Sequence, residues 1–366
     1  VEATLTPATA TSTAVESRVG TLTPPKKDRF ATIQAGRAMA AFLVVMTHAG
    51  SILGEPRYYA QEPLGGWLRG FRVGVDFFFV VSGFIIAYIH WNDLGNPGRL
   101  RSYMASRFSR VYPPYWIILI PLFLLYLAFP NAGQPSQRDP LNFVFSVLLM
   151  PFPVHPVLGV AWTLVHEMFF YSVFALLIVT QFSPKRVLLG WALVIIVLNL
   201  SFSPLAFPLS IFFNPFNLEF IVGVGSAVWL MRHRAPAPLC MAVAGLATFA
   251  GFLFFGQYVL ETPLLARTVF GLSTVVSIIG FVELDRQGRV QVPAWLQLLG
   301  AASYSMYLVH GIAQSATLLA LFKSGWGSLP MLVAVPLLAA VSVLAGVLYH
   351  LLVEQRIIRI ARRALA

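Results

Sequence analysis

The chain has 366 residues, of which 58% are hydrophobic and 11% charged, against about 25% charged in an average soluble domain. So little polar surface cannot coat a water-soluble globule of this size. Together with a single cysteine, Cys240, this excludes a cytosolic enzyme, a disordered protein and a secreted disulfide scaffold. The formal net charge of +11 arises because 14 acids face 25 Lys and Arg. The basic residues fall in short clusters between apolar runs, a pattern that sets orientation in a membrane, and nucleic-acid binding is not expected.

In chain order, residues 1–25 are rich in Ala, Thr, Ser and Pro without apolar periodicity, which predicts a disordered tail. They contain no continuous apolar h-region, so they are not a signal peptide. A membrane domain is predicted over 26–355, with ten apolar segments near 31–52, 73–91, 112–130, 157–180, 187–203, 211–231, 238–256, 264–283, 294–321 and 329–352. Each is long enough to cross a bilayer. The stretch 141–154 is too short and too rich in proline to cross, and is expected to lie in the interface or cap the bundle. Residues 356–366 read as a basic cytoplasmic tail. The predicted class is therefore all-α: a polytopic integral membrane protein of about ten transmembrane helices. No internal repeat is visible, which disfavours a repeat-built transporter.

Charge asymmetry tests the span count. With the N-terminus inside, the inner segments hold Arg18, Lys26, Lys27, Arg29, Arg99, Arg101, Arg107, Arg110, Lys185, Arg186, Arg232, Arg234, Arg286, Arg289, Arg356, Arg359, Arg362 and Arg363. The outer segments hold only Arg57, Arg69, Arg72, Arg138, Arg267 and Lys323. Such a split predicts ten spans with both termini cytoplasmic.

Polar groups in hydrocarbon are expensive and must face a cavity or one another. In the first span Arg37 and His48 are eleven residues apart, or three helical turns plus about 20°, so they share one face about 16 Å apart. Separately, they read as a snorkelling arginine and a packed histidine; on one stripe they read as a functional pair. Asp76 in the second span has Arg72 four residues before it, close enough to pair at the membrane surface. Arg107 and Arg110 share a face at the entrance of the third span, where they serve either the charge asymmetry alone or a phosphate clamp. Pro113 and Pro114 are expected to break the helix there. Glu167 is a carboxylate inside the fourth span. Its neighbour His166 faces another way, so only one of the two reaches a given cavity. Glu219 lies in the sixth span after a stretch, Asn214 to Asn217, that suggests a broken helix. Tyr304, Tyr307 and His310 form a stripe at three-residue spacing in the ninth span. No metal-ligand spacing, nucleophile elbow, P-loop or dinucleotide fingerprint is present, and Cys240 reads as structural.

Five stretches occur in an order that resembles the bacterial membrane acyltransferase-3 family: IQAGRAMAAFLVVMTHAG with its Arg-x10-His, GVDFFFVVSGFIIAY, RFSRVYPPYW with its Arg-x-x-Arg, WTLVHEMFFY, and LLGAASYSMYLVHG. The resemblance runs from residue 33 to 311. It implies O-acylation of exported or cell-surface sugars, with an acyl-CoA donor, acetyl-CoA above all, at the cytoplasmic side. It makes Arg37 and His48 the essential Arg-x10-His and Arg107 and Arg110 the donor-facing pair. Glu167 becomes the acid of a tryptophan–glutamate motif that includes Trp162, and Tyr304 and His310 belong to a serine–tyrosine–histidine segment. Gly36 stands where larger residues such as Leu are usual in the family, which predicts looser packing beside Arg37. The chain also ends soon after the tenth span, so no appended hydrolase-like domain is expected.

On this basis the expected activity is O-acyl transfer, acetyl or succinyl, to a carbohydrate hydroxyl in the bacterial inner membrane. The expected partners are the bilayer, a carbohydrate acceptor free or lipid-linked, and polysaccharide assembly proteins; no permanently bound cofactor or metal is expected. His48 is expected as general base, since imidazole titrates near pH 6.5, or as a nucleophile forming an acyl-histidine. Glu167 or Asp76 would orient its ring, and Glu219, Tyr304, His310 and Trp162 would contact substrate. A proton-coupled transporter or lipid-linked sugar flippase is the competing reading, because ten spans with inward ionisable groups suit either. A non-catalytic scaffold leaves those groups unexplained.

Overall fold

The computed structural model describes residues 30–202, 204–255, 261–327 and 329–365. The expected disordered tail at 1–25 lies outside the described residues, as do Arg18, Lys26, Lys27 and Arg29 of the charge asymmetry. Among the described residues there is no β-strand, and ten helical segments are long and apolar enough to cross a membrane. With no water in hydrocarbon to satisfy backbone groups, helices are the open-chain solution.

The helices are α1 (Ala31–Leu53), α2 (Gly74–His90), α3 (Leu100–Ala128), α4 (Pro140–Leu148), α5 (Trp162–Val179), α6 (Pro184–Ser201), α7 (Leu209–Phe212), α8 (Phe216–Arg232), α9 (Pro238–Phe255), α10 (Pro263–Arg286), α11 (Ala294–Ala301), α12 (Ser303–Lys323), α13 (Met331–Tyr349) and α14 (Gln355–Leu365). A 3-10 segment, Pro63–Val73, leads into α2, and a π-turn, His350–Glu354, joins α13 to α14. Proline opens α4, α6 and α10 at positions where a missing N–H costs nothing.

Helix α1 is the hub. Its buried face is built largely of small residues, Ala38, Ala40, Ala41, Ala49 and Gly50, so neighbouring backbones approach closely. α2, α10, α11, α12 and α13 all pack on it. Small residues also set the crossing of α2 and α8. A Cβ on Gly83 would overlap the Phe220 backbone, and one on Gly223 would overlap the Val80 carbonyl. The periphery is apolar and exposed, as with Leu189, Leu193 and Leu200 on α6 and Leu239, Val243 and Leu246 on α9, a lipid-facing coat.

The face where α1 begins, called here the N-terminal face, is stitched by polar bonds. Thr32 gives its N–H and hydroxyl to Asp285 at 2.9 and 2.5 Å. Arg286 donates to the Leu230 carbonyl at 3.0 Å and the Tyr88 hydroxyl at 3.3 Å. In the π-turn, Glu354 accepts from Ser305 and from His350, each at 2.6 Å.

Four sequence expectations change. The third span begins well before 112, so Arg107 and Arg110 stand within α3. Pro113 and Pro114 do not break it. Tyr304 and Tyr349, from α12 and α13, donate to the carbonyls of Val111 and Pro114 at 2.8 and 2.6 Å, which ties both helices to α3 beside the prolines. The expected ninth span, 294–321, is two helices, α11 and α12, meeting at Ala302. The basic residues after 355 are helical and pack on α3.

Gly223→Val should lower the melting temperature of the detergent-solubilised protein by the equivalent of roughly 1–3 kcal/mol, the usual cost of overpacking. Gly190→Ala, whose Cβ meets nothing within 4 Å, should leave it unchanged. Equal melting of the two variants would contradict the close α2–α8 contact.

Candidate functional site

The bundle is hollowed from both faces. On the N-terminal side a cavity of about 110 Å³ lies among α1, α2, α3, α5 and α12, with Arg37, Arg107, Arg110, Glu167, Tyr304 and Tyr307 in its wall. On the opposite side a pocket of about 280 Å³ is lined by His48, Trp162 and the segment between α3 and α5. Arg37 and His48 share a stripe of α1, yet each opens into a different hollow.

The cavity is electropositive by construction. Arg37 is buried at 8% exposure and forms no hydrogen bond or ion pair among the described residues. Its electrostatic neighbours are Arg110, Glu354, Glu167 and Tyr171. Arg107 lies over the rings of Tyr103 and Tyr171, 5.8 and 5.6 Å from their centroids. It meets His90 Nε2 at 3.0 Å, and His90 Nδ1 meets Asp93 at 2.8 Å. A guanidinium only donates and a carboxylate only accepts, so His90 is held neutral with its proton on Nδ1. Arg107 Nε is buried without a partner. The one carboxylate in the wall, Glu167, accepts from the Ser82 hydroxyl at 2.9 Å and from Tyr171. Three guanidiniums facing one carboxylate leave the cavity short of negative charge, an arrangement that favours an anion.

His48 is half-buried. Its Nδ1 sits 2.9 Å from the Val44 carbonyl, and a carbonyl only accepts, so the neutral ring carries its proton on Nδ1 and presents a bare Nε2. His310 repeats the pattern against the Met306 carbonyl at 3.1 Å, and its Nε2 is buried without a partner. The two rings meet edge to face at 4.7 Å. Tyr307 stands between the hollows, its hydroxyl 2.7 Å from the Thr163 hydroxyl of the cavity wall and donating at 2.7 Å to the Val160 carbonyl of the pocket wall.

The structure brings Arg37, Arg107, Arg110, Glu167 and Tyr304 to one cavity, and His48 and Trp162 to the other, with His310 against His48. Neither acid expected to orient His48 bonds to it. Glu167 belongs to the cavity. Asp76 is fully buried in an ion pair with Arg267, whose guanidinium also stacks over Phe216 at 4.3 Å. Glu219, equally buried, interacts electrostatically with both, and Arg72 with Asp76 and Arg267. Two acids and two arginines thus meet in a cluster that ties α2, α8 and α10 together, and neither acid lines either hollow. The pairing of Asp76 with Arg267, 191 positions away by number, has no local signal, whereas Arg72 was in plain view. His166 packs against Phe79, Trp162 and Phe216, so Glu167 alone of that pair faces the cavity. Beside Arg37, the space left by Gly36 is filled by the ring of Phe77, which a Cβ there would overlap; the small residue makes room and does not loosen the packing. Sequence reading missed Ser82, His90, Asp93 and Tyr171. The i,i+4 spacing of Glu167 and Tyr171 and the i,i+3 spacing of His90 and Asp93 were the available signals.

Comparison with known proteins gives the same direction. A family model described as an acyltransferase domain matches residues 30–351. The chain is 30% identical over 318 residues to the exopolysaccharide production protein ExoZ of Rhizobium meliloti, covering 83% of this chain and 95% of that protein. It is 26% identical over 174 residues to protein 2 in the picA locus of Rhizobium radiobacter, covering 42% of this chain and 83% of that protein. It is 23% identical over 280 residues to the peptidoglycan O-acetyltransferase OatA of Listeria monocytogenes, covering 67% of this chain and 45% of that protein. No solved structure matches.

The buried charge cluster yields a stability test. Asp76→Ala leaves Arg267 without its ion-pair partner and should cost roughly 3–5 kcal/mol, read as a lower melting temperature in detergent. Adding Arg267→Met restores the charge balance and should recover most of the loss. A double variant no better than the single one would show that the pair is not coupled.

Proposed function

The chain belongs to the acyltransferase-3 family, and from that premise we propose that this acyltransferase is a membrane O-acyltransferase using an acyl-CoA donor, with acetyl as the expected group. The acceptor is a hydroxyl of an exported or surface polysaccharide. We assign the N-terminal face to the cytoplasm and the membrane to the bacterial inner membrane. The arginines and lysines gathered at the ends of α3, α6, α8, α10 and α14 on that face support the assignment.

The observation that carries this reading is the division of labour along α1. Arg37 opens, unpaired, into an electropositive cavity, and His48 offers a bare Nε2 to a pocket on the other side. An acyl-CoA is matched in kind, with phosphates at one end and a thioester at the end of a long arm. Arg107 and Arg110 meet the phosphates, and Arg37 takes the arm inward. Glu167, held by Ser82 and Tyr171, offsets part of the guanidinium charge and keeps Arg37 directed into the cavity. The thioester passes Tyr307 and reaches His48 after about 16 Å along the helix.

At His48, Nε2 removes the proton of the acceptor hydroxyl as its oxygen attacks the thioester carbonyl carbon. The C–O ester bond forms and the C–S bond breaks. The thiolate leaves and takes the proton back from the imidazolium, giving free CoA, the acylated sugar and neutral His48. The hydrogen bond from Nδ1 to Val44 fixes the ring so that the same nitrogen accepts and returns the proton. His310, edge-on to His48, holds the ring laterally.

His48→Ala, compared at equal protein by immunoblot, should reduce acyl ester on the surface polysaccharide by a factor of roughly 10²–10⁴, the usual contribution of a general base. Normal ester content at normal expression would sink the assignment. Arg110→Ala should raise the KM for acetyl-CoA roughly ten- to a hundredfold, as expected for losing a charged contact of about 1.5–3 kcal/mol, with a smaller change in kcat. Asp93→Asn should move the same parameter in the same direction by releasing His90. An unchanged donor KM in both would remove α3 from donor binding.

A further inference from the structure

The pocket that holds His48 has a second wall built by residues 130–161. This segment joins α3 to α5, and it is firmly made. Asn142, fully buried on α4, donates one amide to the Ser136 carbonyl at 2.8 Å and to the His155 carbonyl at 3.0 Å. One side chain thereby fixes two separate stretches of the wall. The Ser146 hydroxyl accepts from the Val157 N–H at 2.9 Å, and Gln137 donates to the Val157 carbonyl at 3.0 Å. From α3, Tyr112, Tyr115 and Trp116 donate to the carbonyls of Leu148, Ser146 and Val147 at 2.8, 2.9 and 2.9 Å. So many bonds spent on holding a connection in one shape make a preformed site and not a passive link.

Against that fixed frame, three polar groups facing the pocket are uncommitted. Among the described residues the Ser136 hydroxyl and the His155 imidazole form no hydrogen bond, and Nε2 of His48 is bare. Trp162 presents a half-buried indole held from behind by Phe79 and Phe216. The lining contains no Asp, Glu, Lys or Arg, in contrast to the three arginines of the other hollow. At about 280 Å³ it falls just below the usual range of ligand pockets, roughly 300 to 1,000 Å³. An aromatic face, a few free hydrogen-bonding groups and no formal charge suit a small, uncharged, polyhydroxylated ring.

We propose that this pocket is the acceptor subsite, and that it takes a single neutral pyranose ring from the polysaccharide. Trp162 lies against the ring, Ser136 and His155 bond its hydroxyls, and the hydroxyl to be acylated points at His48 Nε2. The proposal rests on the acyl-transfer reading and adds to it the charge class and size of the acceptor residue. Charged sugars are excluded because a carboxylate or phosphate there finds no countercharge and loses its hydration.

The test uses the full chain in detergent with acetyl-CoA, methyl β-glucoside as neutral probe and methyl β-glucuronide as anionic probe. Free thiol is followed together with sugar ester by mass spectrometry. The wild type should acetylate the glucoside and use the glucuronide at least tenfold less well. Ser136→Ala and His155→Ala should each raise the KM for the glucoside several-fold while the KM for acetyl-CoA stays put, and His155→Asn, which keeps a polar group, should recover part of the loss. Thiol release with equal use of the two sugars, with ester on neither, or with acceptor KM unmoved in both variants would overturn the subsite and leave the acyl-transfer reading standing. Absence of thiol release under every condition would overturn that reading instead.

Discussion

Hydrocarbon offers no solvent to Arg37 or His48, and both sit on the helix that the rest of the bundle surrounds. That constraint organises the molecule. α1 must be small-faced, or its neighbours would not come close enough to shield two polar side chains. α12 must bring His310 and Gln314 alongside, because they meet His48 and the Val45 carbonyl of α1. α2, α3 and α5 must in turn supply Ser82, Arg107 and Glu167 around Arg37. Packing and chemistry are the same requirement seen at two points of one helix.

The bundle handles buried charge in three distinct ways. Around Arg37 it is left unbalanced, with more guanidinium than carboxylate, which creates a site for an anion. Around Asp76, Glu219, Arg72 and Arg267 it is paired internally through Asp76 and Arg267, and that cluster fastens helices without lining either hollow. Around His48 formal charge is absent from the wall. The contrast between first and third regions sets a cationic hollow and one free of formal charge near opposite ends of one helix.

Much of this was legible in the sequence, for physical reasons. Apolar runs report spans because the bilayer fixes their length, and α1, α2 and α5 fell close to expectation. The stripe of Arg37 and His48, and that of Tyr304, Tyr307 and His310, follow from helical periodicity alone. Relations between distant helices were not legible. Nothing local says that Asp76 meets Arg267, or that Asn142 joins Ser136 to His155. Proline was misread for a similar reason. Pro113 and Pro114 each remove one backbone donor, yet the helix runs through them, and the tyrosines that buttress it there lie on α12 and α13. The short stretch at 141–154 was recognised as non-spanning, but its tie to the wall beside His48 depends on contacts that periodicity does not encode.

The position of Tyr307 between the hollows bears on the membrane as a whole. A water-filled passage from one face to the other would let protons and ions run down their gradients and discharge the membrane that carries it. Here the two hollows come within one hydroxyl of each other, and that hydroxyl is bonded to both walls. Under the proposed reaction only the acyl-bearing arm has to pass that hydroxyl, and the bundle need never open a continuous aqueous channel.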